Sequence, residues 1–149
     1  MGKAFPNPAP LQGRFTAPQT HLVVMEYNAV DLAGTATAGL RLGGTTSPGR
    51  ALIPFPGWVR AMAVRSNEAR TAGTATFEVL IGGVDAGAEF DVVLNATDTQ
   101  TAYKTYPHRE ALALRPGDDV QVRADTSGWT PTTADVIATL WLEVRDVLA

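Results

Sequence analysis

The side chains that could do chemistry are few and scattered. There are two histidines, His21 and His108, and neither has a carboxylate or a second histidine nearby at ligand spacing. A histidine metal site would need both to converge with acids from elsewhere, and solvated surface histidine is the plainer reading. The chain has no cysteine. Disulfides, thiolate zinc sites, iron–sulfur clusters and a cysteine nucleophile are therefore excluded. Ser47, Ser66 and Ser127 fall in turn-like sequence, and none sits in a Gly-x-Ser-x-Gly elbow. Glu78, Glu89 and Asp91 could pair across neighbouring strands as acid and base, but alternating acids are also the ordinary outer face of a sheet.

Other motifs reduce to turns. Asp125-Thr126-Ser127-Gly128 would need a second copy to supply a paired carboxylate, and a strand running into a turn explains it. Gly43–Gly49 is glycine-rich but lacks the phosphate-loop lysine and a following helix. Asp118-Asp119 has no Asp-x-Asp-x-Asp-Gly ladder around it, so Asp118 is assigned to the turn before a strand. Asn95-Ala96-Thr97 fits the glycosylation pattern, which matters only in a secreted eukaryotic chain. No catalytic residue, metal ligand or cofactor site is expected. This inventory favours a binder or a building block over an enzyme.

Composition narrows the class further. The 149 residues carry a net charge of −3, which disfavours a nucleic-acid partner because phosphate backbones call for a basic footprint. The longest apolar runs resemble Leu22-Val23-Val24-Met25, far short of the ~20 residues that cross a membrane, and the N-terminus lacks a signal-peptide layout. Charged residues make up only 18%, so the surface must rely on Thr, Gly, Pro and Ala or be covered by partners. Arginine occurs ten times and lysine twice, a weak lean toward a GC-rich, thermophilic source.

The first twenty residues differ from the rest. They hold Pro6, Pro8, Pro10 and Pro18, no acid, and the bases Lys3 and Arg14. Alternating prolines enforce extended or polyproline II backbone. Phe5, Leu11 and Phe15 are more apolar surface than a solubilising tail needs. Residues 1–20 are therefore read as an arm that docks through Phe5, Pro6, Pro8, Pro10, Leu11, Arg14 and Phe15. An unordered terminus is the alternative. Such an arm could reach ~60 Å.

From residue 21 the pattern has period two, as strands require. The sequence predicts a buried strand over 21–28, a glycine-interrupted one over 35–42, and a short edge piece near Leu52–Phe55. It predicts further strands over 58–65, 74–81, 89–97, 99–106, 112–114, 120–125 and 134–145, with one helical turn allowed near Ser66–Ala72. Arg115-Pro116-Gly117-Asp118 suits a type II turn and Gly128-Trp129-Thr130-Pro131 another turn. Strands at this spacing predict an all-β sandwich or barrel over 21–149.

The last strand is the most informative. Val136, Ala138, Leu140, Leu142 and Val144 share one face, and Ile137, Thr139, Trp141 and Glu143 the other. The outer face of a sandwich strand should be polar, so Ile137 and Trp141 point to a covered surface. Leu22 and Val24, in a run apolar on both faces, join them. These four are assigned to subunit packing. The rival reading is that the arm or a loop of the same chain covers them.

The succession of turns and strands over Gly57–Glu143 resembles jelly-roll domains of tailed-bacteriophage virion proteins. It includes Glu68–Thr74, Gly82-Gly83, Asn95–Gln100, Arg115-Pro116-Gly117-Asp118 and Trp129–Asp135. With the arm in front, the chain looks most like a capsid decoration, or cement, protein. That resemblance implies a jelly-roll-like β-sandwich forming a homotrimer on the outer surface of an icosahedral head, with the major capsid protein as partner. It implies no cofactor, and no nucleic-acid or membrane partner. A carbohydrate- or receptor-binding module of a tail or fibre is the alternative, with Trp58, Tyr103, Tyr106 and Trp129 as stacking platforms. A small hydrolase is the third.

Overall fold

The computed structural model describes residues 19–43, 48–108, 110–131 and 134–146. The expected docking residues Phe5, Pro6, Pro8, Pro10, Leu11, Arg14 and Phe15 lie outside the described residues. Twelve strands follow one another: β1 (Thr20–Leu32), β2 (Ala36–Gly39), β3 (Arg41–Leu42), β4 (Ala51–Ile53), β5 (Gly57–Ser66), β6 (Ala72–Ile81), β7 (Val84–Asp85), β8 (Val92–Leu94), β9 (Thr101–Thr105), β10 (Leu112–Leu114), β11 (Asp118–Thr130) and β12 (Ala134–Arg145).

All pairings are antiparallel, in two sheets. The first sheet runs β10-β5-β12-β1-β3, with β9 also beside β5. The second runs β2-β11-β6-β7, with β4 beside β11 and β8 beside β6. The main strands β1, β2, β5, β6, β8, β9, β11 and β12 give the orders β9-β5-β12-β1 and β2-β11-β6-β8. First and last strands thus lie side by side, and the chain crosses repeatedly between layers. This is the double Greek key of a jelly roll, so the fold is the expected β-sandwich. Among the described residues no helix is long and apolar enough to cross a membrane.

Side-chain alternation builds the core. From β12, Val136, Ala138, Leu140 and Leu142 point inward and are fully buried, as are Phe77 and Val79 of β6 and Val120 and Val122 of β11. Two tyrosines stitch the layers. The Tyr27 hydroxyl, on the first sheet, donates to the Val120 carbonyl of the second at 2.8 Å. The Tyr106 hydroxyl donates to the Phe90 carbonyl, and the two rings meet edge-on with centroids 5.3 Å apart. Burial pushes both phenols well above the ordinary tyrosine range.

Four local expectations are corrected. The run at 21–28 is not a buried strand: Thr20–Val24 is exposed on both faces, and burial begins with Met25 and Tyr27. Residues 89–97 do not form one strand. A 3-10 turn spans Ala88–Phe90, and β8 covers only Val92–Leu94 before Asn95 caps a turn, its Oδ1 accepting from the Thr97 N–H at 2.8 Å. Gly128 does not turn the chain. It takes φ +55° inside β11, where the register slips between Ser127 and Thr130, forming a bulge. Ser66–Ala72 forms bends rather than a helical turn. The Arg115–Asp118 turn is present, with Gly117 at φ +91° and the Asp118 carboxylate accepting from the Arg115 N–H at 2.7 Å.

Candidate interaction face

The registers of β1, β12, β5 and β9 fix the outer face of the first sheet. Val24 lies opposite Trp141, Trp141 opposite Ala61, and Ala61 opposite Thr105. The next row is Glu26, Thr139, Ala63 and Tyr103, and the one beyond it Asn28, Ile137, Arg65 and Thr101. At the other end Leu22 pairs with Glu143, and Glu143 with Trp58. Leu22, Val24, Ile137 and Trp141, the residues assigned to subunit packing, therefore share one face.

Their exposure differs. Leu22 is 67% exposed, Val24 54%, Ile137 41% and Tyr103 79%, while Trp141 is half-buried. Small side chains explain the relief. Ala61 and Ala63 leave a trough along β5, walled by Trp141 and Ile137 on one side and by Tyr103 on the other. One depression of about 360 Å³ lies among Arg65, Thr101, Tyr103, Ile137 and Thr139. A second, of about 340 Å³, lies among Ala61, Tyr103, Thr105 and Trp141. Sequence reading placed Tyr103 among possible sugar platforms and did not connect it to Ile137. The signal was available in the alternation of 99–106, but the partner strand was not.

Charge gathers at the rim of this face. Arg60 Nε lies 3.4 Å from Glu143 Oε2, and His108 Nε2 lies 3.9 Å from Glu143 Oε1. His108 stacks edge-on against Trp58 at 5.0 Å, and the Arg145 guanidinium stands 5.5 Å from the Trp58 ring centre. His21 Nε2 lies 3.9 Å from Asp146 Oδ2. Each histidine thus meets a carboxylate distant in sequence, brought there by the β1–β12 and β12–β5 registers. An apolar centre with a polar rim is the usual anatomy of an interaction surface.

The remaining candidates separate. Glu78 is held by Arg123, whose Nε donates to Glu78 Oε2 at 2.6 Å. That pairing commits Glu78 to an ion pair. Asp91 stands near Asp85, Glu78 and Glu89 and is part buried. Desolvation first, then these like charges, push its carboxyl up to about 6, against a smaller opposing pull from Lys104. Among the described residues no cluster of three or more His, Asp or Glu side chains is placed to hold a metal ion. Asp119 pairs with Arg50 at 3.5 Å rather than with Asp118. Of the four possible sugar platforms, Trp129 and Tyr106 are buried in the core and Trp58 is stacked under Arg145. Only Tyr103 stands free, so they form no shared aromatic patch.

No family model matches the chain, and no curated protein matches it. Among solved structures, a chain of the cyanophage Pam1 capsid asymmetric unit is similar, at 12% identity and a TM-score of 0.48. The match covers 94% of this chain and 99% of that one.

Proposed function

We propose that this protein is a structural virion protein. It binds the outside of an icosahedral phage head and stabilises it as a trimeric decoration protein. The observation that carries the reading is the apolar outer face of the first sheet, where Val24, Trp141, Tyr103 and Ile137 surround a trough floored by alanines. A sandwich with a finished core gains nothing from exposing these groups alone. Burying each of Leu22, Val24, Ile137 and Tyr103 contributes ~1–2 kcal/mol in an assembly. The jelly-roll topology and the turn-and-strand resemblance over Gly57–Glu143 favour a virion component over other uses of such a face.

In this reading Leu22, Val24, Ile137 and Trp141 pack between subunits, and the arm of residues 1–20 adds contact with the major capsid protein or a neighbouring copy. Many modest contacts per head sum through multivalency. The chain acts by burying area and not by catalysis. The test is co-sedimentation with undecorated heads together with sedimentation equilibrium of the free protein. A trimer that pellets with heads and raises their disruption temperature is expected. A chain that remains monomeric at micromolar concentration and in the supernatant would defeat the reading.

A further inference from the structure

One segment at the edge of the second sheet is held mostly by itself. Between β7 and β8 the backbone bonds of Gly87–Asp91 are local. The Phe90 N–H donates to the Gly87 carbonyl at 3.0 Å and the Asp91 N–H to the Ala88 carbonyl at 3.2 Å. The Gly87 N–H donates to Asp85 Oδ1 at 2.9 Å. Among the described residues no backbone bond joins these five residues to β6. Two ties fasten them to the body. The Phe90 ring is buried edge-on against Tyr106, and the Tyr106 hydroxyl donates to the Phe90 carbonyl. Tyr106 follows β9, so both ties close the seam where β8 of one sheet lies against β9 of the other. A depression of about 300 Å³ between Glu89, Lys104, Tyr106 and Glu110 brings water up to the outside of Phe90.

Asp91 stands beside these ties. Its Oδ1 is buried with no hydrogen-bond partner. The charged groups that face it are Asp85 of β7, Glu78 of β6, Lys104 of β9 and Glu89 of the 3-10 turn. The Tyr106 phenol is close as well, and Arg123 of β11 is committed to Glu78. Ionised, Asp91 adds a further negative charge to this group, next to the ring that anchors the segment. We propose that Gly87–Asp91 is a proton-operated latch, shut over the β8–β9 seam while Asp91 is protonated and opening more often once Asp91 is ionised. Opening gives up the Phe90 contact and one hydrogen bond. In return it hands the carboxylate back to water and away from its neighbours. In the shut latch the carboxyl is held at about 6, by desolvation first and then by Asp85, Glu78 and Glu89 against Lys104, and in water it returns toward 3.8. Closure therefore weakens as pH rises through this interval and stays weak above it. The inference rests on this cluster alone and is independent of the capsid reading.

The test is amide hydrogen exchange of the full chain, followed by NMR from pH 4.5 to pH 7.5 and corrected for intrinsic rates. The Phe90 amide should exchange at least ~100-fold faster than the amide of Leu140, buried in the middle of β12, because the latch opens without unfolding the sandwich. Its protection should fall about fivefold across the range, well short of the ~100-fold that an unscreened shift would give. Asp91→Asn should flatten the profile at the level the wild type shows in acid. Lys104→Gln, at an exposed position, removes the opposing charge and should deepen the fall. That sign separates a charge-operated latch from a segment that is merely loose. Phe90 exchanging no faster than Leu140 overturns the proposal. So does a pH profile that persists in Asp91→Asn, or a fall that Lys104→Gln leaves unchanged or makes shallower.

Discussion

Asp91→Asn should stabilise the protein at neutral pH, and the gain should vanish in acid. The Asp91 carboxyl stands between the Phe90–Tyr106 pair and three other acids, and its Oδ1 is buried without a hydrogen-bond partner. Its carboxyl is held at about 6, against an ordinary 3.8. A raised carboxyl means that the folded chain binds the proton more tightly than the unfolded one. Stability then falls as pH rises from about 3.8 to about 6 and stays low above that. The full difference corresponds to ~3 kcal/mol. The side chain is only part buried and water screens it, so the expected effect is about 1 kcal/mol, or a rise in melting temperature of about 3 °C. Asparagine keeps the shape and carries no charge. Thermal melts of both proteins at intervals from pH 4 to pH 8 read the difference directly. It should be near zero at pH 4 and reach its maximum by pH 7. A difference that is flat across this range, or that favours the wild type at pH 7, would refute the reasoning.

Other substitutions probe the frame and the face. Phe77→Ala empties a fully buried site between the sheets and should cost about 4 kcal/mol in urea denaturation. Gly73 and Gly82 both have positive φ, but an added Cβ at Gly73 meets the Gly128 backbone while Gly82 faces open space. Gly73→Ala should therefore destabilise by more than ~3 kcal/mol and Gly82→Ala by about 1 kcal/mol, read from the same denaturation curves. Glu78→Gln breaks the Arg123 pair and should cost about 1 kcal/mol, with the loss shrinking in high salt. Ile137→Lys together with Tyr103→Lys, both on exposed side chains, should leave the melting temperature within about 2 °C and weaken self-association measured by sedimentation.

Legibility varied with how local the cause was. β12 runs over Ala134–Arg145, the expected 134–145, because Val136, Ala138, Leu140, Leu142 and Val144 recur at period two and define one buried face. Ile137 and Trp141 were readable on the outer face for the same reason. Leu22-Val23-Val24-Met25 misled, because a run apolar on both faces is the signature of a buried strand. Its exposure follows from β1 lying at the sheet margin, which depends on strand order and not on local pattern. Gly128-Trp129-Thr130-Pro131 has turn composition, yet the Trp129 side chain is buried and its backbone N–H donates to the Gly34 carbonyl at 2.8 Å, while the chain stays in β11 through a bulge. Tyr103 joins the face only through the β5–β9 pairing. The contacts of His21 with Asp146 and of His108 with Glu143 are likewise products of register, invisible to spacing along the chain.

Electron microscopy of purified heads incubated with the protein tests the central claim most directly. The account predicts three-fold protrusions on the outer shell, each with the mass of three chains, with the face bearing Trp141, Tyr103 and Ile137 turned into a subunit contact. Bare heads after incubation, or bound protein whose β1–β12–β5–β9 face stands open to solvent, would contradict it.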